Sequence, residues 1–189
     1  KKINLKIIEK KISKIPYSNF HLILCAGYLD NFSVKININE WKKVFNINVF
    51  AHLEIFNSLL NKMKNKKNNK IIFFGGGGAA NSFDKFPAYS ASKTAVVRIV
   101  ENLSLKYSKH NLNIFAIAPG AIKTKMLNKV LKKTNVRTKT SKVELYTFIK
   151  FCLENEVNSF NGRLVHIRDD KSKIKLNRNK DFLKLRRVE

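Results

Sequence analysis

The sequence predicts an α/β fold in which a doubly wound parallel sheet carries helices on both faces, giving three layers. Short apolar runs alternate along the chain with longer segments whose apolar residues recur every three or four positions. The apolar runs are nearly continuous, which is typical of strands that are covered on both faces. Strands and helices that alternate in this way form right-handed parallel βαβ units.

Each element is predicted from its own pattern. Isoleucines at helical spacing predict a short helix that ends before Pro16. The spacing Asn37-x-x-Glu40 resembles a capping box and predicts a helix start before Trp41. The predicted strands lie at 20–25, 71–74, 113–118 and 163–167, the two long helices at 41–63 and 88–107, and a shorter helix at 142–153. Residues 169–189 are strongly charged and predict a partly disordered tail.

Length and composition indicate a single domain, 1–189, with room for a core. No apolar run reaches the roughly 18 to 20 residues that span a bilayer, so we expect no membrane partner. Cys25 and Cys152 are too few for a disulfide framework and have no metal-ligand spacing with the four histidines. We therefore expect no metal and a reduced, cytoplasmic setting.

The net charge of +25 raises the question of nucleic-acid binding. The basic residues are spread along the whole chain, and the aromatic residues lie mostly in apolar segments, away from the basic runs. This distribution favours a solvated basic surface without a nucleic-acid partner. A basic nucleic-acid-binding protein is kept as a third alternative.

The segment from Gly78 to Lys93 offers the clearest chemistry. Tyr89 and Lys93 are four residues apart, which places a phenol and an ammonium on one helix face. Because a nearby cation favours the phenolate, we expect the pKa of Tyr89 to fall from about 10 toward the working pH. Such a tyrosine can exchange a proton with an alcohol or a ketone. The alternative is an ordinary helix start with Tyr89 half buried and Lys93 in water.

Four ordered motifs together resemble the short-chain dehydrogenase/reductase family. They are the turn Cys25-Ala26-Gly27 after a strand, Asn48 in the next long helix, Tyr89 with Lys93, and Pro119-Gly120 followed by Thr124. The resemblance covers about residues 20–168. It implies a Rossmann-like fold, NAD or NADP as the cofactor, and hydride transfer that interconverts a secondary alcohol and a ketone.

The resemblance also implies a role for each motif residue. Tyr89 would be the general acid/base, Lys93 the cation that tunes it, and Asn48 would order a water that relays protons to the lysine. The cofactor would contact Cys25, Ala26, Gly27, Tyr89, Lys93, Pro119, Gly120 and Thr124. Taken alone, Thr124 is equally an N-cap for 125–130, Gly27 a simple turn, Asn48 a buried amide and Cys25 a small buried side chain. Phe83, Phe86 and Leu127 are candidates for a substrate pocket.

Two departures from the family pattern open a second hypothesis. Its first strand and G-x-x-x-G-x-G loop have no counterpart among the seven glycines, so we expect a chain that begins after them and binds dinucleotides poorly. Gly75 stands where the resemblance implies a catalytic serine, and Ser82 is interpreted as loop surface. The second hypothesis is therefore a degenerate member that acts as a binding or structural subunit.

The expected partners are a small-molecule alcohol or ketone and further copies of the chain. The resemblance implies a homodimer or homotetramer that is formed through the helices at 41–63 and 88–107. Both helices carry more apolar positions than one buried stripe needs, for example Phe50, Ile55 and Ile99.

Overall fold

The structure is a computed structural model that describes residues 5–16, 18–63, 68–136 and 139–169. The helices are α1 (Leu5–Ile12), α2 (Ile38–Phe45), α3 (Ala51–Met63), α4 (Pro87–Lys106), α5 (Lys125–Leu131) and α6 (Lys142–Glu154). The strands are β1 (Leu22–Leu24), β2 (Asn69–Phe74), β3 (Leu112–Ala118), β4 (Ala121–Ile122), β5 (Lys139–Thr140) and β6 (Leu164–His166). The predicted tail at 170–189 lies outside the described residues.

The central sheet is parallel, in the order β1-β2-β3-β6, which confirms the predicted α/β fold. Ile71 of β2 lies opposite Ile114 of β3, and Phe73 opposite Ala116. β4 and β5 form a separate parallel pair that the sequence analysis missed. Each is two residues long, which is too short for a periodic pattern to reveal.

Helices cover both faces of the sheet. Alternate residues of a strand point to opposite faces. Ile71 and Phe73 therefore belong to one core, which they share with α3 and α4. Ile72 belongs to the other core, where it packs with Phe148 and Cys152 of α6. The apolar runs of β2 and β3 are thus buried from two sides, whereas the run at 20–25 forms the edge strand β1, in which Ile23 is 37% exposed.

The predicted helix at 41–63 is interrupted. A π-helical turn at Asn46–Phe50 joins α2 to α3, and the N–H of Ala51 donates to the carbonyl of Asn46. A single wide turn leaves the spacing of apolar residues almost unchanged, so the sequence does not reveal it. Such turns often occur at functional sites, and this one contains Asn48, which is completely buried.

The remaining predictions concern helix starts and surfaces. Asn37 caps α2, which begins at Ile38, by accepting from the N–H groups of Asn39 and Glu40. The predicted cap is confirmed, but the Glu40 carboxylate accepts from the Tyr28 hydroxyl and does not complete a capping box. Among the described residues, none of the helices has the length and apolar character to cross a bilayer. Phe50 is 51% exposed, and the oligomer that it suggests stays a prediction.

Candidate active site

The predicted motifs meet at the carboxyl end of the sheet, where ligands bind in open α/β folds. A side-chain carbon placed on Gly27 would lie 4.0 Å from both Lys93 Nζ and Asn48 Oδ1, and 3.6 Å from Met126 Cε. Three motifs that are far apart in the sequence are therefore neighbours in space. Cys25 is exposed, which corrects its interpretation as a buried side chain. The reason is that β1 ends at Leu24 and the turn lies beyond the sheet edge.

Tyr89 and Lys93 lie one turn apart on α4, and their shared face is confirmed. Lys93 Nζ is 5.6 Å from the centroid of the Tyr89 ring and donates a hydrogen bond of 2.8 Å to the carbonyl oxygen of Phe74. Lys93 is only 3% exposed, whereas Tyr89 is half-buried, as the alternative expected. The alternative that placed its ammonium in water is therefore wrong.

Burial controls the protonation of this pair. It raises the pKa of Tyr89 to about 12. It also lowers the pKa of Lys93 to about 8, and Cys25 partly opposes this shift. The prediction that the cation lowers the pKa of Tyr89 is wrong, because the cost of ionising a buried phenol outweighs the attraction. At neutral pH Tyr89 keeps its proton and Lys93 is mostly charged.

Asp30 fixes the start of α4, a contact that the sequence did not predict. Its carboxylate accepts from the N–H groups of Ala88 at 3.4 Å and Tyr89 at 3.1 Å. Phe86, at the N-cap position, makes no side-chain capping bond, so Asp30 caps this helix from another part of the chain. Burial raises the pKa of Asp30 against these hydrogen bonds.

The Asn48 side chain acts as a clamp. Its Oδ1 accepts from the N–H of Tyr28 at 2.7 Å, and its Nδ2 donates to the carbonyl of Tyr28 and to Ser92 Oγ, both at 2.9 Å. Ser92 Oγ in turn donates to the carbonyl of Tyr89. These bonds tie the residue after Gly27 to α4 and agree with the buried-amide alternative. The water relay through Asn48 stays a prediction.

The glycine that faces Tyr89 is Gly76, which corrects the placement of the missing serine at Gly75. A side-chain carbon on Gly76 would lie 3.4 Å from the Tyr89 hydroxyl oxygen. On Gly75 it would point into the sheet, 2.6 Å from Leu164 Cδ1 and 3.4 Å from the carbonyl of Ile117. Consecutive residues that leave a strand point in different directions, and four glycines in a row carry no pattern that locates the right one. Ser82 is exposed, as interpreted.

An apolar cluster surrounds the phenol. Phe83, Phe86 and Leu127, the predicted pocket residues, belong to it together with Tyr89. The rings of Phe83 and Phe86 meet edge to face at 5.2 Å. The other members are Leu29, Met126, Val130 and Val136. The cluster confirms that the three residues lie together, and their substrate contact stays a prediction.

Thr124 and Gly120 shape the segment after β3. Thr124 Oγ1 accepts from the N–H of Leu127 at 3.2 Å and caps α5, which confirms its alternative role. Gly120 has φ +71, a conformation that glycine adopts without strain. Contact of Pro119, Gly120 or Thr124 with a cofactor stays a prediction.

Comparison with known proteins identifies the family. A family model described as short chain dehydrogenase matches residues 10–135. The chain belongs to this family. The 3-oxoacyl-[acyl-carrier-protein] reductase FabG of Buchnera aphidicola is 27% identical over 171 residues, which are 83% of this chain and 69% of that protein. Dehydrogenase/reductase SDR family member 4 of Oryctolagus cuniculus is 31% identical over 84 residues, 44% of this chain and 32% of that protein.

Solved structures of short-chain dehydrogenases have the same fold. One from Salmonella enterica superposes with a TM-score of 0.76 at 15% identity, covering 87% of this chain and 68% of that one. The structure of ElxO with NADP bound gives a TM-score of 0.72 at 19% identity, covering 86% and 71%. The resemblance inferred from the motifs is thereby confirmed, and so is the Rossmann-like architecture.

Proposed function

We propose that this short-chain dehydrogenase is an NAD(P)-dependent oxidoreductase that interconverts a secondary alcohol and a ketone. The observation that carries the proposal is the pair of half-buried Tyr89 and buried Lys93 at the carboxyl end of the sheet, beside the open turn at Gly27. A relative named as a 3-oxoacyl reductase and a structural neighbour that holds NADP support this choice.

The described residues fit the nicotinamide end of such a cofactor. Cys25, Ala26 and Gly27 are exposed, and the space that a side chain on Gly27 would fill lies in front of Lys93 and Asn48. A flat ring can approach glycine backbone closely there. Gly27, Lys93, Gly120 and Thr124 would hold the group, which supplies or accepts the hydride when it is bound.

Tyr89 is arranged to give a proton to a carbonyl oxygen. A pKa of about 12 keeps the phenol protonated at neutral pH, which suits ketone reduction. The ammonium of Lys93 would stabilise the phenolate that remains. Asp30 holds the first turn of α4 and thus the Tyr89 backbone in place. The apolar cluster around Phe83 and Phe86 would exclude water from the substrate.

Gly76 favours a second candidate, a degenerate member that binds without turnover. It supplies no hydroxyl opposite Tyr89. In an active enzyme, a backbone N–H or a water would have to donate to the carbonyl oxygen instead. The two candidates differ in one measurable property, which is turnover that depends on the Tyr89 hydroxyl.

The test is oxidation of NADH and NADPH by the full chain with a panel of ketones that includes 3-oxoacyl thioesters. Tyr89→Phe should lower kcat at least about 100-fold, because it removes the proton donor. Tyr107→Phe makes the same chemical change at the other end of α4 and should keep wild-type turnover. Full activity in Tyr89→Phe would remove Tyr89 from the mechanism. A folded wild-type chain without any turnover would favour the binding subunit.

A further inference from the structure

His52 is a buried polar residue with at least one ring nitrogen that has no partner among the described residues. It is the second residue of α3, one turn after Asn48, and is 1% exposed. Within the described residues, neither Nδ1 nor Nε2 has a hydrogen-bond partner in good geometry, and one of them makes only a weak hydrogen bond to the backbone of Ala26. Buried side-chain nitrogens are normally hydrogen-bonded, so an exception calls for a physical explanation.

The surroundings of His52 link it to the candidate active site. Phe73 of β2 meets the imidazole edge to face at 6.2 Å. Burial lowers the pKa of His52 to about 4, the ammonium of Lys93 adds to this shift, and a weak hydrogen bond to the backbone of Ala26 opposes it. At neutral pH the ring is therefore uncharged and offers one donor and one acceptor nitrogen.

The Lys93 ammonium has hydrogen-bond donors to spare. An ammonium group has three protons to donate. Lys93 Nζ gives one to the carbonyl of Phe74, and the described residues provide no second hydrogen bond for it. Asn48 Oδ1, near the same spot, already accepts from the N–H of Tyr28. A donor with spare capacity and an acceptor without a partner are thus enclosed in one buried region.

We propose that His52 is a positioning residue for Lys93, whose ammonium it holds through one buried water. The water accepts a hydrogen bond from Lys93 Nζ and donates one to the free nitrogen of the neutral imidazole. Buried waters typically make two to four such bonds to otherwise unpaired polar groups. The charged group that interacts with His52 is Lys93 on α4, and Cys25 in the turn interacts with Lys93.

This arrangement has a consequence for Lys93. A hydrogen bond to the charged ammonium favours its protonated form and so opposes the effect of burial. His52 thereby keeps a cation beside the Tyr89 ring at neutral pH. The contact can be tested without turnover, and only its catalytic consequence rests on the proposed function.

The first test is NMR of the full chain labelled with ¹⁵N-histidine. The chain has four histidines, and loss of one signal in His52→Gln assigns His52. We expect a single neutral tautomer that does not titrate between about pH 5.5 and 8, whereas an ordinary histidine titrates near 6.5. A titration of His52 in that range, or averaging between tautomers, would overturn the proposal.

The second test follows the titration of the Lys93 side chain by ¹³Cε NMR. His52→Leu should lower the Lys93 pKa by about half a unit or more, since the acceptor is lost. His52→Gln keeps an acceptor oxygen and should restore the wild-type value. Phe56→Leu changes a buried residue one turn further along α3 that has no polar atom, and should have no effect.

The two tests separate positioning from packing. Equal Lys93 titrations in wild type and His52→Leu would show that His52 serves only to fill space, and the proposal would fail. If His52→Leu does not fold, His52→Phe takes its place, because it keeps a buried ring but has no nitrogen acceptor, and an unchanged Lys93 pKa in that variant would equally overturn the proposal. Neither measurement depends on turnover, so an inactive chain would contradict the proposed function without touching this inference.

Discussion

Two buried lysines lie at opposite ends of β2 and differ in what surrounds them. Lys70, 0% exposed, donates from Nζ to the carbonyl of Leu153 at 3.0 Å. Lys93, 3% exposed, donates to the carbonyl of Phe74 at 2.8 Å. Burial lowers the pKa of both ammonium groups. Both residues are thus buried lysines whose ammonium group donates to one backbone carbonyl.

The difference lies in their neighbours. Lys70 reaches the last turn of α6, where carbonyl groups carry partial negative charge, and Cys152 and Glu156 oppose the effect of its burial. Beside it, both ends of the Asn69 amide bond to backbone groups. Lys93 instead lies near the open turn at Gly27, and its charge acts on the imidazole of His52. The same chemical group is surrounded by helix-end carbonyls at one end of the strand and faces an open turn at the other.

The largest expected effect concerns Lys93 and pH. Its pKa is about 8 in the folded chain against 10.5 for an unburied lysine. Between these values the unfolded chain binds more protons, so the free energy of unfolding should rise with pH, by about 3 kcal/mol in total. Lys93→Met should lose this rise in urea unfolding at pH 7 to 10. Lys129→Met, an exposed control, should keep it. Parallel curves for wild type and Lys93→Met would contradict the assignment of a buried, charged lysine.

A smaller loss of stability is expected when Asn69, at the amino end of the sheet, is changed. Asn69→Ala leaves the N–H of Phe20 and the carbonyl of Met63 without their partner, which should cost about 2 kcal/mol. Asn113→Ala on the neighbouring strand is the matched control. Its Nδ2 is 3.5 Å from Asn158 Oδ1, and its own Oδ1 has no partner within the described residues. Its loss should cost less than about 1 kcal/mol. Equal losses by urea unfolding would show that these hydrogen bonds do not distinguish the two amides.

The sequence could predict those parts of the molecule that depend on local spacing. The strands at 71–74 and 113–118 were found because apolar runs report burial on both faces. Tyr89 and Lys93 were placed on one face because four residues make about one helical turn. The sequence could not predict the contacts between distant segments. Asp30 caps a helix that starts 57 residues later, and no spacing rule links the two.

Depth of burial was the second quantity that the sequence did not reveal. The spacing of Tyr89 and Lys93 suggested that the cation would dominate the phenol pKa, yet desolvation dominates. His52 lies within the helix predicted at 41–63, and the poor pairing of its ring nitrogens is visible only in three dimensions. The four consecutive glycines could not show which of them faces Tyr89, because glycine has no side chain whose polarity indicates a direction.

The smallest expected effect separates Gly75 from Gly76 at the carboxyl end of β2. In Gly75→Ser the new side chain meets Leu164 Cδ1 at 2.6 Å, the movable end of a side chain, so the loss of stability should be about 1 kcal/mol. Turnover should not improve, because this side chain points into the sheet.

Gly76→Ser should behave differently, since its side-chain carbon would lie 3.4 Å from the Tyr89 hydroxyl oxygen. Its φ of +153 should also cost about 1 kcal/mol, but under the proposed function the new hydroxyl can donate to a substrate carbonyl and raise kcat. Gly77→Ser, with nothing within 4 Å of the added carbon, controls for a serine that reaches neither Leu164 nor Tyr89. Initial rates and urea midpoints of the three variants show at which position a serine restores turnover and what it costs in stability. A gain in kcat for Gly75→Ser without one for Gly76→Ser would show that the missing hydroxyl belongs at Gly75 after all.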